Sequence, residues 1–174
     1  MRLYYEWGIR QIHKRGEELC GDSILVSRHS DSVTLALSDG LGSGVKANIL
    51  ATLTTRIAMH MLQNGLPLDE VVRTLGETLP VDTVRKLAYS TFAIAQFFSL
   101  GCARIVEFDS PLAIFLRRRK IKPIIYEEWT IEDKTIHEAM LDLKDGDWVV
   151  FCSGGVLNAG IGGVYPLGWG WEQV

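Results

Sequence analysis

The sequence lacks the features that define several large classes of protein. Cysteine is scarce, since the 174 residues include only Cys20, Cys102 and Cys152, an odd number without the spacing of a zinc site. These residues predict reduced thiols in a cytoplasmic protein and argue against a disulfide framework. No apolar run is long enough to span a bilayer, and the charged start "MRLYYEWGIRQIHKRGEE" is unlike a secretory signal.

An excess of positive charge is also missing. Eighteen Lys and Arg residues against 21 Asp and Glu residues give a formal net charge of −3, which argues against a general nucleic-acid binder. The basic run "RRRK" at 117–120 lies between apolar stretches. It predicts a solvated hairpin turn, with a docking patch for an acidic partner as the alternative. Repeats and low-complexity segments are absent, and 47% of the residues are hydrophobic, so we expect one globular domain.

Hydrophobic periodicity divides the chain into strands and helices. Two β-rich segments, 23–28 and 32–38, flank a polar turn, and helices are predicted at 45–64 and 69–79. At steps of three and four residues, the apolar face of the first helix would contain Ile49, Leu50, Leu53, Ile57 and Met61. Five later segments with a period of two follow, at 90–98, 102–108, 112–118, 121–127 and 147–153, the last after a charged interval. This order predicts an α+β fold with helices covering antiparallel sheet.

The first predicted hairpin brings two aspartates together. If Arg28 pairs with Val33 across a four-residue turn, the same register places Asp22 opposite Asp39. Opposed residues lie about 4.5–5.5 Å apart at Cβ, so the two carboxylates would repel each other. Either one carboxyl is protonated or a cation lies between them, and Mg²⁺ or Mn²⁺ would accept their oxygens together with the carbonyl of Gly40. The alternative is that these aspartates belong to simple turn signals at the strand ends.

The glycine-rich loop that follows raises a second alternative. Glycines at 40, 42 and 44 form a G-x-G-x-G pattern between a strand and a helix. A dinucleotide-binding loop requires G-x-G-x-x-G, and position 45 is Val. The later strands are also antiparallel in character, so we do not favour a dinucleotide site.

These motifs resemble a known family. "CGDS" at 20–23 followed by "SDGLGSGVKAN" at 38–48 resembles the metal-dependent protein serine/threonine phosphatases of the type 2C superfamily, and most of all the bacterial branch of the stage II sporulation phosphatase, RsbU and RsbX. The stretch "LKDGDWVVFCSGG" at 143–155 is similar to the late strand and loop of that family. The resemblance implies a four-layer α-β-β-α sandwich of two antiparallel sheets flanked by helices. It also implies hydrolysis of phosphoserine or phosphothreonine on a partner, an anti-anti-sigma-like regulatory protein.

The resemblance also implies roles for particular residues. Asp39 matches the aspartate that bridges two Mn²⁺ or Mg²⁺ ions, Gly40 the carbonyl ligand and Asp22 the second carboxylate, around a metal-bound water that attacks phosphorus directly. Asp22 and Asp39 are therefore the expected catalytic and metal-binding residues. Lys14 and Arg15, upstream of the first strand, are candidates for contact with the phosphate. Leu41 replaces the histidine of the eukaryotic branch, so we assign no histidine general acid.

One departure from the family pattern weakens a metal site. The late loop of the family reads Ser-Asp-Gly, whereas residues 153–155 read Ser-Gly-Gly, so Gly154 offers no side-chain oxygen. Asp147 is no easy substitute, because an extended chain places it roughly 23 Å away. We also expect residues 1–174 to form a single phosphatase-like domain without the C-terminal helix and last strand of the family. One metal site should thus be strong and the other degenerate.

Three functions remain open on the sequence alone. The first is an active protein phosphatase, and the second is a degenerate phosphatase fold that binds a phosphoprotein or partner without turnover. The third is an unrelated α+β binding domain in which the aspartates only end strands. None of them involves a nucleic acid or a membrane.

Overall fold

A computed structural model describes residues 2–78, 81–82, 87–88, 90–161, 163–165 and 167–170 of the chain. The helices are α1 (Gly44–Gln63), α2 (Leu68–Thr78) and the single turn α3 (Gly154–Leu157). Both long helices match the predicted ones within one residue at each end. No described helix has the length and apolarity that a bilayer span requires.

The strands form two principal antiparallel sheets. In chain order they are β1 (Asp22–Arg28), β2 (Ser32–Asp39), β3 (Val81–Asp82), β4 (Leu87–Ala88), β5 (Phe92–Phe98), β6 (Cys102–Phe108), β7 (Ile114–Arg117), β8 (Lys120–Lys122), β9 (Glu127–Ile131), β10 (Lys134–Asp142) and β11 (Trp148–Val150). The large sheet has the order β1-β2-β5-β6-β10-β9 and the small sheet the order β11-β7-β8, while β3 pairs with β4 alone. The "RRRK" run lies at the predicted turn, between β7 and β8.

The first hairpin has the predicted register. Arg28 pairs with Val33, and the ladder continues to Asp22 opposite Asp39. Because side chains alternate between the two faces of a strand, this register places both aspartates on the same face of the sheet. The hairpin prediction is confirmed.

Two hydrophobic cores hold the layers together. The first lies between α1, α2 and one face of the large sheet, and the second lies between the two sheets. Neighbouring residues of β6 show the division, since Val106 belongs to the first core and Ile105 to the second. The α+β sandwich of two antiparallel sheets with helices is confirmed. The described residues form three layers, which are the two long helices, the large sheet and the small sheet. On the outer face of the small sheet, Trp148 and Ile121 are 70% and 68% exposed.

The predicted apolar face of α1 is wrong at three of its five residues, whereas Met61 packs against the first core as predicted. Ile49, Leu53 and Ile57 are 52%, 52% and 43% exposed. The face that packs on the hairpin is instead made mostly of small side chains: Gly44, Ala47, Ala51, Thr54, Thr55, Ala58 and Met59. Small side chains let the helix axis lie close to β1 and β2, where larger ones would not fit. Close approach of the backbones, and not hydropathy, selects the buried face.

The charged interval before β11 contains two strands that the sequence pattern did not predict. β10 lies between β6 and β9 in the large sheet, and its charged residues have partners there. Glu138 accepts a hydrogen bond from Arg104 Nε at 2.6 Å and another from the indole of Trp129 at 3.1 Å. These pairs allow charged side chains within a central strand. In contrast, the predicted strand at 121–127 is interrupted after Lys122, since Pro123 has no N–H to donate.

A carboxyl group is buried between the two sheets. Glu107 is fully buried on β6, and both of its carboxyl oxygens lack a hydrogen bond of good geometry among the described residues. Burial raises the pKa of Glu107 to about 7, although Tyr126 and the backbone of Ala113 lie near enough to oppose part of that rise. The folded state therefore favours the protonated, neutral form of Glu107.

Replacement of Glu107 by Gln should remove a loss of stability at alkaline pH. The folded pKa of about 7 lies above the ordinary 4.5, so stability is complete below pH 4.5 and falls as the pH rises through 7. The shift corresponds to about 3 kcal/mol at pH 8, at about 1.4 kcal/mol per pKa unit. We expect Glu107→Gln to raise the free energy of unfolding in urea at pH 8 and to leave it nearly unchanged at pH 4.5.

Glu77→Gln is the matched control, because Glu77 is exposed on α2. It should leave the dependence of stability on pH as it is in the parent. If stability depended on pH equally in the parent and in Glu107→Gln, the Glu107 carboxyl would ionise without cost in the folded protein.

Candidate metal centre

The two aspartates of the hairpin form an acidic pair at one end of the sandwich. Asp22 begins β1 and Asp39 ends β2, so antiparallel pairing brings both to the same edge of the sheet. Burial, followed by the charge of Asp22 and a hydrogen bond between the two carboxyl groups, raises the pKa of Asp39 to about 6. Among the described residues, no positively charged side chain contributes to the pKa of Asp39, so the repulsion from Asp22 is not offset by a cation of the chain.

A chain of buried hydroxyl groups supports the end of β2 beside Asp39. Ser38 Oγ donates its proton to the carbonyl of Thr91 at 2.6 Å. Because a hydroxyl has one proton, Ser90 Oγ is then the donor in its 2.5 Å hydrogen bond with Ser38 Oγ. Thr54 on α1 donates in turn to Ser90 Oγ at 3.1 Å. Thr91 also exchanges hydrogen bonds with the backbone of Asp39. These bonds join α1, β2 and the start of β5 immediately behind the acidic pair.

Glycine at position 40 is required by packing. A Cβ at Gly40 would lie 2.0 Å from the carbonyl oxygen of Ala47, well inside van der Waals contact. The Gly40 N–H donates to the carbonyl of Gly21 at 3.2 Å, which ties the loop to the residue before Asp22. The absence of a side chain thus lets the first turns of α1 lie directly against the strand end.

The N-terminus of α1 is covered by a carboxylate of the chain itself. Ser43 Oγ donates to Glu17 Oε1 at 2.6 Å, and a Cβ at Gly44 would lie 2.1 Å from Glu17 Oε2. A carboxylate is favourable there because a helix N-terminus carries partial positive charge. Lys14 and Arg15 lie on the exposed turn just before Glu17. Their contact with a phosphate stays a prediction.

The late loop meets the acidic pair from the other sheet. Ser153 Oγ donates to Asp22 Oδ2 at 2.8 Å, and the backbone N–H of Gly154 favours the ionised form of Asp39. A Cβ at Gly154 would lie 3.6 Å from Asp39 Oδ2. Gly154 therefore lies beside the pair, although its role as a degenerate metal position stays a prediction. Asp147 is held elsewhere, by Arg117 Nη2 at 2.6 Å.

Comparison with known families identifies the chain. Residues 29–167 match the family model described as Stage II sporulation protein E (SpoIIE). The chain belongs to the SpoIIE family. The matched range includes Asp39, Gly40 and Gly154 and begins after Asp22. The fold is that of a PP2C phosphatase domain. A comparison with curated proteins finds no match.

Solved structures share the fold of this SpoIIE-family chain. RsbX in complex with magnesium has a TM-score of 0.66 at 15% identity, over 84% of this chain and 72% of that chain. The PP2C phosphatase domain of SpoIIE from Bacillus subtilis, with a fragment of its regulatory domain, has a TM-score of 0.74 at 20% identity, over 87% and 45% of the two chains. The RsbU and RsbW domains of a Mycobacterium tuberculosis protein give 0.64 at 15% identity, over 84% and 42%. At these identities the likeness establishes the fold.

The donor atoms at the acidic pair fit one hard divalent cation. Two carboxylates and the carbonyl of Gly40 are oxygen ligands of the kind that Mg²⁺ and Mn²⁺ accept, with water completing the coordination. The unfavourable proximity of Asp22 and Asp39 is what such a cation would relieve. Among the described residues, no cluster of three or more Asp, Glu, His and Cys side chains could hold a metal ion.

The thiol of Cys20 lies near the same pair, a position for which the sequence offered no signal. Burial raises the pKa of Cys20, and the negative charges of Asp22 and Asp39 raise it further. A thiol that stays protonated at neutral pH is a poor nucleophile and a poor metal ligand. Cys20 accordingly adds no reactive group to the centre.

Replacement of Asp39 by Asn should stabilise the metal-free protein. The folded pKa of about 6 exceeds the ordinary 3.8, so stability is complete below pH 3.8 and is lost as the pH rises through 6. We expect Asp39→Asn to raise the free energy of unfolding at pH 8 by about 1–2 kcal/mol, after allowance for solvent screening, and to change it little at pH 4. Urea unfolding in the presence of a chelator measures both values.

Addition of Mn²⁺ should reverse the order of stability, because the parent would gain more from bound metal than Asp39→Asn. Asp145→Asn, on an exposed turn, is the control and should behave as the parent in both conditions. Calorimetry that finds the same Mn²⁺ affinity in Asp39→Asn and in the parent would place the metal site elsewhere.

Proposed function

We propose that this chain is a metal-dependent protein phosphatase that hydrolyses phosphoserine or phosphothreonine on a regulatory partner protein. The observation that supports this most is the acidic pair, Asp22 and Asp39, which lies at the end of a PP2C-type sandwich and whose charge no described cationic side chain offsets. A bound Mn²⁺ or Mg²⁺ would neutralise charge on the phosphoryl oxygens and make hydroxide available near neutral pH. The remaining steps depend on how the chain positions its own groups.

The residues around the pair favour direct hydrolysis over a phosphoenzyme. Asp22, Asp39 and the carbonyl of Gly40 would hold the cation in our proposal. Ser38 and Ser90 are fully buried and are engaged in the hydroxyl chain, so neither is available as a nucleophile. Cys20 stays protonated at neutral pH, because burial and neighbouring charge raise its pKa. We propose that water is the nucleophile, as the family resemblance implies.

The proposal also names residues that contact the phosphate and the kind of protein that carries it. We propose that Lys14 and Arg15 contact the phosphate, since their exposed turn leads directly to Glu17, whose carboxylate covers the start of α1. In one structural neighbour the phosphatase domain is accompanied by part of a regulatory domain, and in another an RsbU domain is accompanied by an RsbW domain. These associations support a regulatory protein as the partner, and the family resemblance implies one of the anti-anti-sigma type. The three free cysteines support a cytoplasmic location.

A second candidate function is a phosphatase fold that binds its phosphoprotein without turnover. The observation that favours it is Gly154, which lies beside Asp39 and adds no carboxylate to the pair. Because α1, α2 and both sheets share two adjoining cores, we propose a single phosphatase-like domain for residues 1–174 under either function.

Turnover in the presence of metal should separate the two candidate functions. We expect the parent to release phosphate from a phosphoserine protein and from a small aryl phosphate only when Mn²⁺ is added. Asp39→Asn, checked for folding by thermal melting, should lose nearly all of this activity. A parent that binds the phosphoprotein but releases no phosphate at any Mn²⁺ or Mg²⁺ concentration would favour the binding module.

Gly154→Asp should increase activity at low Mn²⁺. The new Cβ meets Asp39 Oδ2 at 3.6 Å and Asn158 Nδ2 at 3.8 Å, which are ordinary contacts, so the substitution should not disturb the fold. A third carboxylate would strengthen metal binding, and we expect kcat/KM at low Mn²⁺ to rise about tenfold or more. The measurement is kcat/KM against Mn²⁺ concentration for the parent and the variant.

Gly154→Asn is the matched control for this variant, because it adds a side chain of the same shape without a charge. It should gain much less than Gly154→Asp. If Gly154→Asp folds and leaves both the activity and its metal dependence unchanged, position 154 does not contribute a ligand. Efficient turnover of the parent at low Mn²⁺ would contradict a weakened metal site.

A further inference from the structure

Ser153 occupies a helix-capping position without acting as a cap. It precedes α3 with extended backbone angles, φ −86° and ψ 166°, and its side chain makes no capping hydrogen bond. Serine at this position ordinarily accepts a hydrogen bond from an N–H in the first turn of the helix. The Ser153 hydroxyl instead donates to Asp22 Oδ2 at 2.8 Å. Its side chain is thus committed to the acidic pair and not to the helix.

The bond joins parts of the chain that are far apart in sequence. Asp22 begins β1 at the edge of the large sheet, whereas Ser153 follows β11 of the small sheet. Ser153 is 8% exposed, so water competes little for its hydroxyl. A hydrogen bond to an ionised carboxylate in such surroundings is stronger and shorter than one between neutral groups.

Two consecutive residues of the late loop each contact one aspartate. The hydroxyl of Ser153 donates to Asp22, and Gly154 lies beside Asp39, since a Cβ at Gly154 would be 3.6 Å from Asp39 Oδ2. Without such contacts, repulsion would turn one carboxylate away from the other, and Asp22 is free to do so because it lies on an edge strand. The loop therefore opposes the separation of the pair even though it carries no carboxylate of its own.

We propose that Ser153 is a positioning residue that orients the Asp22 carboxylate so that both aspartates present an oxygen to one divalent cation. In this proposal the hydroxyl binds Oδ2 of Asp22, and Oδ1 is the oxygen that Asp22 presents to the cation. This inference rests on the proposed function, since it requires a cation between Asp22 and Asp39. It assigns to the late loop a contribution to metal affinity that does not depend on a ligand at position 154.

Calorimetric titration with Mn²⁺ tests the proposal independently of activity. We expect Ser153→Ala to weaken Mn²⁺ binding about 10- to 100-fold, as the loss of a hydrogen bond that orients a charged metal ligand implies. Ser153→Thr keeps the hydroxyl and should bind Mn²⁺ within about twofold of the parent. A merely structural serine would affect the thermal stability of the metal-free protein and leave the Mn²⁺ affinity unchanged.

The decisive measurement is a double-mutant cycle with Asp22→Asn. In the Asp22→Asn background, Ser153→Ala should cause no further loss of Mn²⁺ affinity, because its effect acts through the Asp22 carboxylate. Parent-like affinity in Ser153→Ala, or an equal loss in both backgrounds, would overturn the proposal.

The two proposals fail in distinguishable ways. If Asp39→Asn abolishes Mn²⁺ binding and Ser153→Ala does not change it, the metal centre stands and the positioning role of Ser153 is wrong. If neither Asp39→Asn nor Asp22→Asn affects Mn²⁺ affinity, the metal centre itself is wrong, and the role of Ser153 is wrong with it.

Discussion

The repulsion between Asp22 and Asp39 is the constraint on which the rest of the site depends. The register of one hairpin forces the two carboxylates together, and burial makes their proximity more costly than it would be in water. Each structural feature nearby either tolerates or offsets that repulsion. The N–H of Gly154 and the hydroxyl of Ser153 offset part of it. A divalent cation would offset the rest, which is why the protein chemistry and the family assignment lead to the same proposal.

The packing of α1 makes this arrangement rigid. Close approach of the helix to the hairpin requires small side chains on α1 and no side chain at Gly40, whose Cβ would overlap the carbonyl of Ala47. The hydroxyl chain from Thr54 through Ser90 to Ser38 then connects the helix to the strand end beside Asp39. The hydrogen bonds of this network are all made in only one geometry, so a shift of α1 would also move the strand end that carries Asp39.

Several parts of the fold were predictable because their signals are local. The hairpin register follows from turn length and the alternation of side chains, and the ends of α1 and α2 follow from flanking turn residues. Strand β10 was missed because its charged residues mask the alternation, and their partners, such as Arg104 and Trp129, come from other segments. The apolar face of α1 was wrong because hydropathy ranks Ile49 and Leu53 above the alanines that fit the narrow gap beside the hairpin.

The candidate site likewise has parts that local sequence signals predicted and parts that they did not. The sequence by itself predicted that Asp22 and Asp39 face each other before a glycine loop, since turn length and hydrophobic alternation together set the register of a hairpin. It also indicated the family, through residues 20–23 and 38–48, and marked Gly154 as a departure from it. Only the tertiary structure decided that Ser153 holds Asp22, that Glu17 covers the start of α1 and that Ser90 joins Ser38 to Thr54. These contacts join residues far apart in the chain, and their partners are chosen by how the layers pack.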